Sequence, residues 1–298
     1  MAGETGYNTP VGKIVVRGEP KIVLEKEVEV TTNVKPGRLL KMGTTEAEVK
    51  VFDGVSAPAG WCGWEQASPE FRKEAISTAF DAADSAPLIR GSNFVILAKQ
   101  APGFLSKTGD IMFSWGSSGQ VAPGAYINGT PAVRIPFTNS ATVEVLTGAV
   151  MAAGMWVRDV IAEATAGGTG GVTISVGMGG AGDALGFLSA EALASNTRIS
   201  HNIGPTTDGA QTLGAYLKTD QIKDAGGTYT VQLKGAGYVC DGTSLAICYT
   251  TTNTSGLTGY IYMLMGGPGV TEVGKCVAGV DTSGAAGVEA DVLVENKL

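Results

Sequence analysis

Charge is scarce in this sequence. Only 16% of its 298 residues are charged, against about 25% in an ordinary globular chain. The balance is acidic, with a net charge of −7. A protein that grips a phosphate backbone needs a stripe of Lys and Arg. None is visible, which argues against nucleic acid, and against an anionic membrane, as partners. Histidine is nearly missing: His201 stands alone. Most metal chemistry and every His-dependent triad are therefore removed unless His201 itself serves. The cysteines are Cys62, Cys240, Cys248 and Cys276, with no C-x-x-C spacing, so a zinc knuckle and a thioredoxin-type motif are excluded. Cys240 and Cys248 flank an Asp241-Gly242 turn at unequal distances and would not face each other in a tight hairpin. The expectation is buried free thiols and a reducing compartment. The longest apolar run, 149–157, is far shorter than the ~20 residues that span a bilayer. The opening MAGETGYNTPVGK has no signal-like apolar core. These points predict a soluble chain made in a cytoplasm.

What the sequence has is glycine, 44 of 298 residues, with 44% hydrophobic residues. That combination predicts an all-β protein of many short strands and turns, long enough to bury a core without staples. Residues 1–12 are polar and read as an extended arm. Strand patterns follow at 13–17, 22–31, 38–42 and 46–52, with Glu27, Val28, Glu29 and Val30 alternating and Pro36-Gly37 forming a turn. Ser68 as N-cap, Pro69 at the first helical position and an apolar stripe of Phe71, Ala75, Ala79, Phe80 and Ala83 predict one helix over 69–84. Strands are predicted at 94–99 and 110–115, then an irregular passage through Pro123, Asn128-Gly129 and Pro131. Beyond 140, strand patterns at 142–146, 155–164, 172–176, 229–234, 238–240, 245–251 and 259–265 are punctuated by Gly pairs and Asp-Gly turns, the spacing of a β-sandwich. The stretch 143–166 also fits a helix, but Gly148 and Gly154 would each cost about 1 kcal/mol in a helix interior. No internal repeat of fixed period is evident.

Motifs that would carry chemistry are weak. Gly177, Gly179 and Gly182 spell G-x-G-x-x-G, the outline of a dinucleotide-binding loop. The preceding strand alternates Val172, Ile174 and Val176 with Thr173 and Ser175, however, whereas a parallel-sheet strand covered on both faces is apolar throughout. No second βαβ unit follows; a Gly-rich crossing, with a short helix over 185–194, is expected instead. Asp81 and Asp84 could form a carboxylate pair but read as solvated. Glu163, Asp183 and Glu191 have no glycosidase-like spacing, and Asp220 and Asp224 are too sparse for a calcium loop. No catalytic, cofactor-binding or metal-ligating set emerges, and the chain is expected not to be an enzyme. Trp61, Trp64, Phe113 and Trp115 lie in or beside turns of the first half. They read as core or rim packing, or as anchors of a protein interface, where aromatics are enriched. Tyr7 and Pro10 of the arm join them as candidate interface residues.

Several stretches carry a resemblance. "VKPGRLLK" at 34–41, "APAGWCGWEQ" at 57–66, "GSNFVILAKQAPG" at 91–103, "KTGDIMFSWGSSGQVAPGA" at 107–125 and "EVGKCVAGVDTSGAAGVEADVLV" at 272–294 resemble the strands and Gly turns of head decoration (cement) proteins of tailed bacteriophages and related viruses. The resemblance implies a β-barrel or β-tulip-like domain over 13–139, closed by 271–298, with a β-sandwich domain over 140–270 inserted. It also implies a place on the outer surface of a virion, the major capsid protein as partner, and a homotrimer on a local three-fold axis. The departures are the segment 140–270 and the helix over 69–84, which short decoration proteins lack. They leave a turret, tail or shell role open. A carbohydrate- or receptor-binding tail or fibre module is the alternative. It predicts a groove lined by Trp61, Trp64 or Trp115.

Overall fold

The structure, a computed structural model, describes residues 13–29, 34–64, 77–140, 143–167, 172–179, 184–193, 198–200, 221–223, 229–231, 238–240, 246–252, 256–284 and 288–298. The chain is all-β; among the described residues there is no helix. The strands of the first part are β1 (Val15–Arg17), β2 (Ile22–Val28), β3 (Leu39–Met42), β4 (Glu48–Val51), β5 (Gly60–Cys62), β6 (Ser85–Arg90), β7 (Val95–Gln100), β8 (Ile111–Trp115), β9 (Gln120–Ile127) and β10 (Thr130–Thr138). Then come β11 (Val145–Val150), β12 (Trp156–Ala166), β13 (Thr173–Met178), β14 (Leu188–Ala192), β15 (Arg198–Ser200), β16 (Gln221–Lys223) and β17 (Tyr229–Val231). The last are β18 (Tyr238–Val239), β19 (Ala246–Thr251), β20 (Thr258–Gly266), β21 (Glu272–Ala278) and β22 (Ala290–Asn296). β16 and β17 form a small sheet of their own.

Strands β2-β4-β3-β5-β6 close into a five-stranded barrel. Its core is Val28, Val34, Leu40, Val49, Cys62, Phe80, Ala86 and Leu88. A second ring follows, β7-β9-β8-β21-β22, closed by a single parallel rung between Gln100 and Val121. The two rings have the same strand order. In each, the first strand is parallel to the third and the other four contacts are antiparallel.

The registers also coincide. Val28 faces Val49 as Gln100 faces Val121, and Leu40 faces Val51 as Met112 faces Pro123. Leu40 faces Gly60 as Met112 faces Gly274, and Cys62 faces Leu88 as Cys276 faces Val294. The turn before the second strand of each ring is the same as well. Gly37 N–H donates to Cys62 O (2.9 Å) and Gly109 N–H to Cys276 O (2.8 Å); Cys62 and Cys276 N–H return to Arg38 O and Asp110 O, both at 2.8 Å. Equivalent positions are buried in both rings: Leu40 and Met112, Val49 and Val121, Cys62 and Cys276, Ala86 and Val292, Leu88 and Val294. Gly60 and Gly274 share a φ of +157° and +158°, a region that side chains other than hydrogen rarely occupy. A Cβ at either would meet the backbone of the last strand.

So the chain contains a repeat. It has no fixed period because 128–271 is inserted between the third and fourth strands of the second copy. The insertion, which begins with the β9–β10 turn, builds a β-sandwich. The second ring continues sideways through β10-β20-β12-β15, and a four-stranded sheet, β11-β19-β13-β14, packs on it. One cluster joins the layers, including Phe137, Val160, Ile261 and Met263 from the large sheet and Ile174, Val176, Ile247 and Tyr249 from the small one. β10 lies before the expected boundary at 139, yet pairs with β20 from Ala132 to Thr138. The large sheet is thus continuous across that position.

Three local expectations are corrected. Of the helix expected over 69–84, residues 77–84 are not helical, and 65–76 lie outside the described residues. Phe80 serves the barrel instead: it is buried and bridges Val34, its N–H donating to Val34 O at 2.8 Å. Ala83 then takes a φ of +64°, which ends any helical path. The passage around Pro123 and Pro131 is not irregular but the β9–β10 hairpin turning at Asn128-Gly129. Both prolines sit within strands, at Met112↔Pro123 and Pro131↔Tyr126. The short helix expected over 185–194 is instead β14, because its backbone pairs with β13.

Candidate interaction surface

The large sheet has two faces. Along β20 the odd residues Ile261, Met263 and Met265 enter the sandwich core, so the even ones, Tyr260, Tyr262 and Leu264, stand on the other side. Register brings partners to them: Arg134 and Ile161 flank Tyr262, and Pro136 and Glu163 flank Tyr260. β15 adds Arg198 opposite Glu163.

The result is a ladder of arginines and tyrosines. The Arg134 guanidinium lies 4.9 Å from the Tyr260 ring centre and Lys107 5.3 Å from it. Lys107 Nζ also donates to Tyr260 Oη at 2.8 Å. Arg198 sits 5.8 Å from the Tyr262 ring and pairs with Glu163 at 3.1 Å. Arg134 is held by Asp110 at 2.5 Å. At the end of the same strands Arg158 stacks over Trp156 at 5.3 Å. Beneath lies a small apolar patch of Ala132, Ile161 and Leu264, with Ile127 and Tyr262 against it. Burial, with the Glu163 carboxylate beside it, pushes the Tyr262 hydroxyl up to about 12. It stays protonated and can donate. Such a face offers planar rings, guanidinium forks and hydroxyls with few carboxylates, the composition that anchors protein contacts and stacks on flat apolar ligand faces.

No protein-family model matches the sequence, and no curated protein does. The reading of this surface therefore rests on its geometry.

The residues that the sequence singled out lie elsewhere. Trp61, Phe113 and Trp115 are fully buried and Trp64 nearly so. Trp61 and Trp64 pack between the two barrels, while Phe113 and Trp115 help fill the sandwich core. They are core residues, buried in the chain as it stands. Tyr7 and Pro10 lie outside the described residues, as do His201, Asp183, Gly182, Asp208, Asp220 and Asp224. Gly177 is in β13, which is antiparallel to both neighbours. That is not the parallel strand a dinucleotide loop follows. Asp81 and Asp84 do not form a carboxylate pair but cap a turn, Asp84 Oδ2 accepting from the Asp81 N–H at 2.5 Å. All four cysteines are buried free thiols. Among the described residues no group of His, Cys, Asp and Glu is placed to hold a metal ion, and no helix is long and apolar enough to cross a membrane.

A signal for the tyrosine ladder was present in the sequence. In "GYIYMLM" at 259–265, Tyr260 and Tyr262 share one parity and Ile261, Met263 and Met265 the other.

Proposed function

We propose that this chain is a non-enzymatic structural protein of a virion, decorating an assembled icosahedral capsid and bracing neighbouring major capsid subunits as a homotrimer on the outer surface. The observation that carries the reading is the arginine–tyrosine face of β10, β20, β12 and β15. Its rings are partly buried against a small apolar patch, and Asp110 and Glu163 hold two of its arginines in place. Stretches resembling decoration proteins supply β3, β5, β7, β8, β9, β21 and β22, seven of the ten strands of the two barrels. The barrels would form the capsid-facing platform, and the sandwich face with Tyr260 and Tyr262 would reach the adjacent subunit. Bracing is then linkage: a protein that binds only the assembled lattice stabilises it by its binding free energy.

Quantitative mass spectrometry of purified source particles tests this. A copy number equal to that of the major shell protein, or a simple lattice fraction of it, is the expected result. A few copies per particle would replace the proposal with the tail or fibre module, and absence from particles would overturn both.

A further inference from the structure

The duplicated barrels differ at one edge. On β7 the outward backbone groups belong to odd residues, since Asn296 N–H on the opposite side pairs with Phe94 O. This chain's own β1 covers that edge. Val15 faces Ile96, Arg17 faces Val95, and Leu97 N–H donates to Ile14 O at 2.8 Å. By register, the equivalents of Phe94, Val95 and Ile96 in the first barrel are Ile22, Val23 and Leu24. All six are large and apolar. The first three are 1%, 3% and 0% exposed, and the second three 45%, 49% and 40%.

Among the described residues the first barrel has no counterpart of β1. On β2, Glu27 and Glu29 donate to Ala47 O and Val49 O of the β4 side, while Val28 donates towards β6. Lys21, Val23 and Glu25 therefore turn their backbone outward. Among the described residues β4 reaches only 27–29, and nothing pairs with 21–25 on that edge. A bare apolar strand edge is a template for another strand.

We infer that this edge is an interface between copies of the chain, in which β2 pairs antiparallel with β2 of a second copy about a two-fold axis through Val23. The sequence Lys21-Ile22-Val23-Leu24-Glu25 is self-complementary in that register. Outward groups meet outward groups, Ile22 faces Leu24, Val23 faces Val23, and Lys21 faces Glu25 twice. Centring one residue further along would set Ile22 against Lys26 and Val23 against Glu25. An isologous contact of this kind uses one patch on both partners. The new strand would do for the first barrel what β1 does for the second. The inference does not rest on the capsid proposal, since it concerns only this chain.

The test is Val23→Cys in the full chain. The four native thiols are buried, and the two Cα atoms of a directly opposed antiparallel pair stand about 5.5 Å apart, within disulfide reach. Mild oxidation should give a reducible two-chain band on a denaturing gel, which counts pairs whatever else the chain assembles into. Lys21→Glu in the same background should slow cross-linking about tenfold, as two attractive pairs become repulsive. Lys21→Glu with Glu25→Lys should restore it. A single-chain band from Val23→Cys would overturn the inference and mean that another segment or another protein covers the edge. An unchanged rate with Lys21→Glu would overturn it too, marking the cross-link as collisional.

Discussion

Trp61 belongs to the first barrel by sequence and to the second by packing, and replacing it tests the joint between them. It lies on β5 and is fully buried among Ile14, Phe94, Ile96 and Val294. Its Nε1 donates to Asn296 Oδ1 of β22 at 2.6 Å. Asn296 in turn donates from Nδ2 to Gly91 O and Leu298 O. Trp61→Phe keeps an aromatic ring but deletes the donor and part of the volume. A buried acceptor that loses its strongest donor costs about 1–3 kcal/mol, and the partly filled space adds roughly 1 kcal/mol. The total is about 2–4 kcal/mol. At about 2 °C per kcal/mol for a chain of this size, the unfolding midpoint should fall by about 4–8 °C in calorimetry. Asn296→Ala should be similarly damaging, and the double mutant should show a coupling of at least about 0.5 kcal/mol. If Trp61→Phe stays within about 0.5 kcal/mol of the parent, or the coupling is zero, the bond does not join the barrels energetically and the reasoning fails.

Gly60→Ala and Gly274→Ala should each destabilise by about 1–3 kcal/mol from backbone strain alone, and more from the clash with the last strand. Gly284→Ala, with open space around its Cβ, should be neutral in the same melting experiment. Equal tolerance at all three would contradict the shared geometry. For pH, partial burial raises Asp53, but the Lys41 ammonium and hydrogen bonds from Ser56 and Val55 outweigh it and hold its carboxyl well below the usual range. Burial likewise raises Glu289, but the Gln120 hydrogen bond and the Arg38 charge bring it down. A depressed folded value contributes stability that is present above the unfolded pKa of about 4 and is lost as pH falls from there through the lower folded value. The melting temperature should thus hold from neutrality to about pH 5 and drop below about 4, and Asp53→Asn with Glu289→Gln should flatten that drop; an unaltered acid slope would refute the assignment. Burial pushes the Cys62 thiol up, and the Cys276 thiol to about 11. A thiol reagent should therefore find no cysteine in native protein and all four after denaturation, and rapid native labelling would contradict the burial.

Much of this architecture was legible in the residues. Alternation in Glu27 to Val30 and in "GYIYMLM" marked strands, and the cost of glycine in a helix fits the two strands found within 143–166: Gly154 lies in the turn between β11 and β12 and Gly148 at the irregularity within β11, both at a φ of +81°. What misled was local preference overridden by long-range pairing. Ser68-Pro69 and the following apolar stripe suit a helix start, yet Phe80 is drawn into the first barrel by Val34. The tryptophans drew attention because they flank glycine turns. Gly60 is what lets β5 approach the last strand of its barrel closely beside Trp61, a Cβ there meeting Ile89 O at 2.6 Å. The repeat escaped because few residues match between the copies: Lys35, Gly37, Val49, Gly60 and Cys62 against Lys107, Gly109, Val121, Gly274 and Cys276. What the copies share is hydrogen-bond register, which a single sequence does not display.

The split second barrel sets a timetable for synthesis. The first barrel has all its strands once Arg90 has left the ribosome, and its pairings are local enough to form at once. The second has three strands by Ile127 but waits for the whole sandwich to be translated before β21 and β22 can close it. Throughout that interval the edges of β7 and β8 that these strands will fill stand open, and such edges recruit strands from other chains. A nascent chain halted anywhere between residues 130 and 270 should thus carry one finished barrel beside one open to a neighbour. Expression at low temperature or slow translation, which change how long that window lasts, should change aggregate yield more than they change the stability of the completed protein.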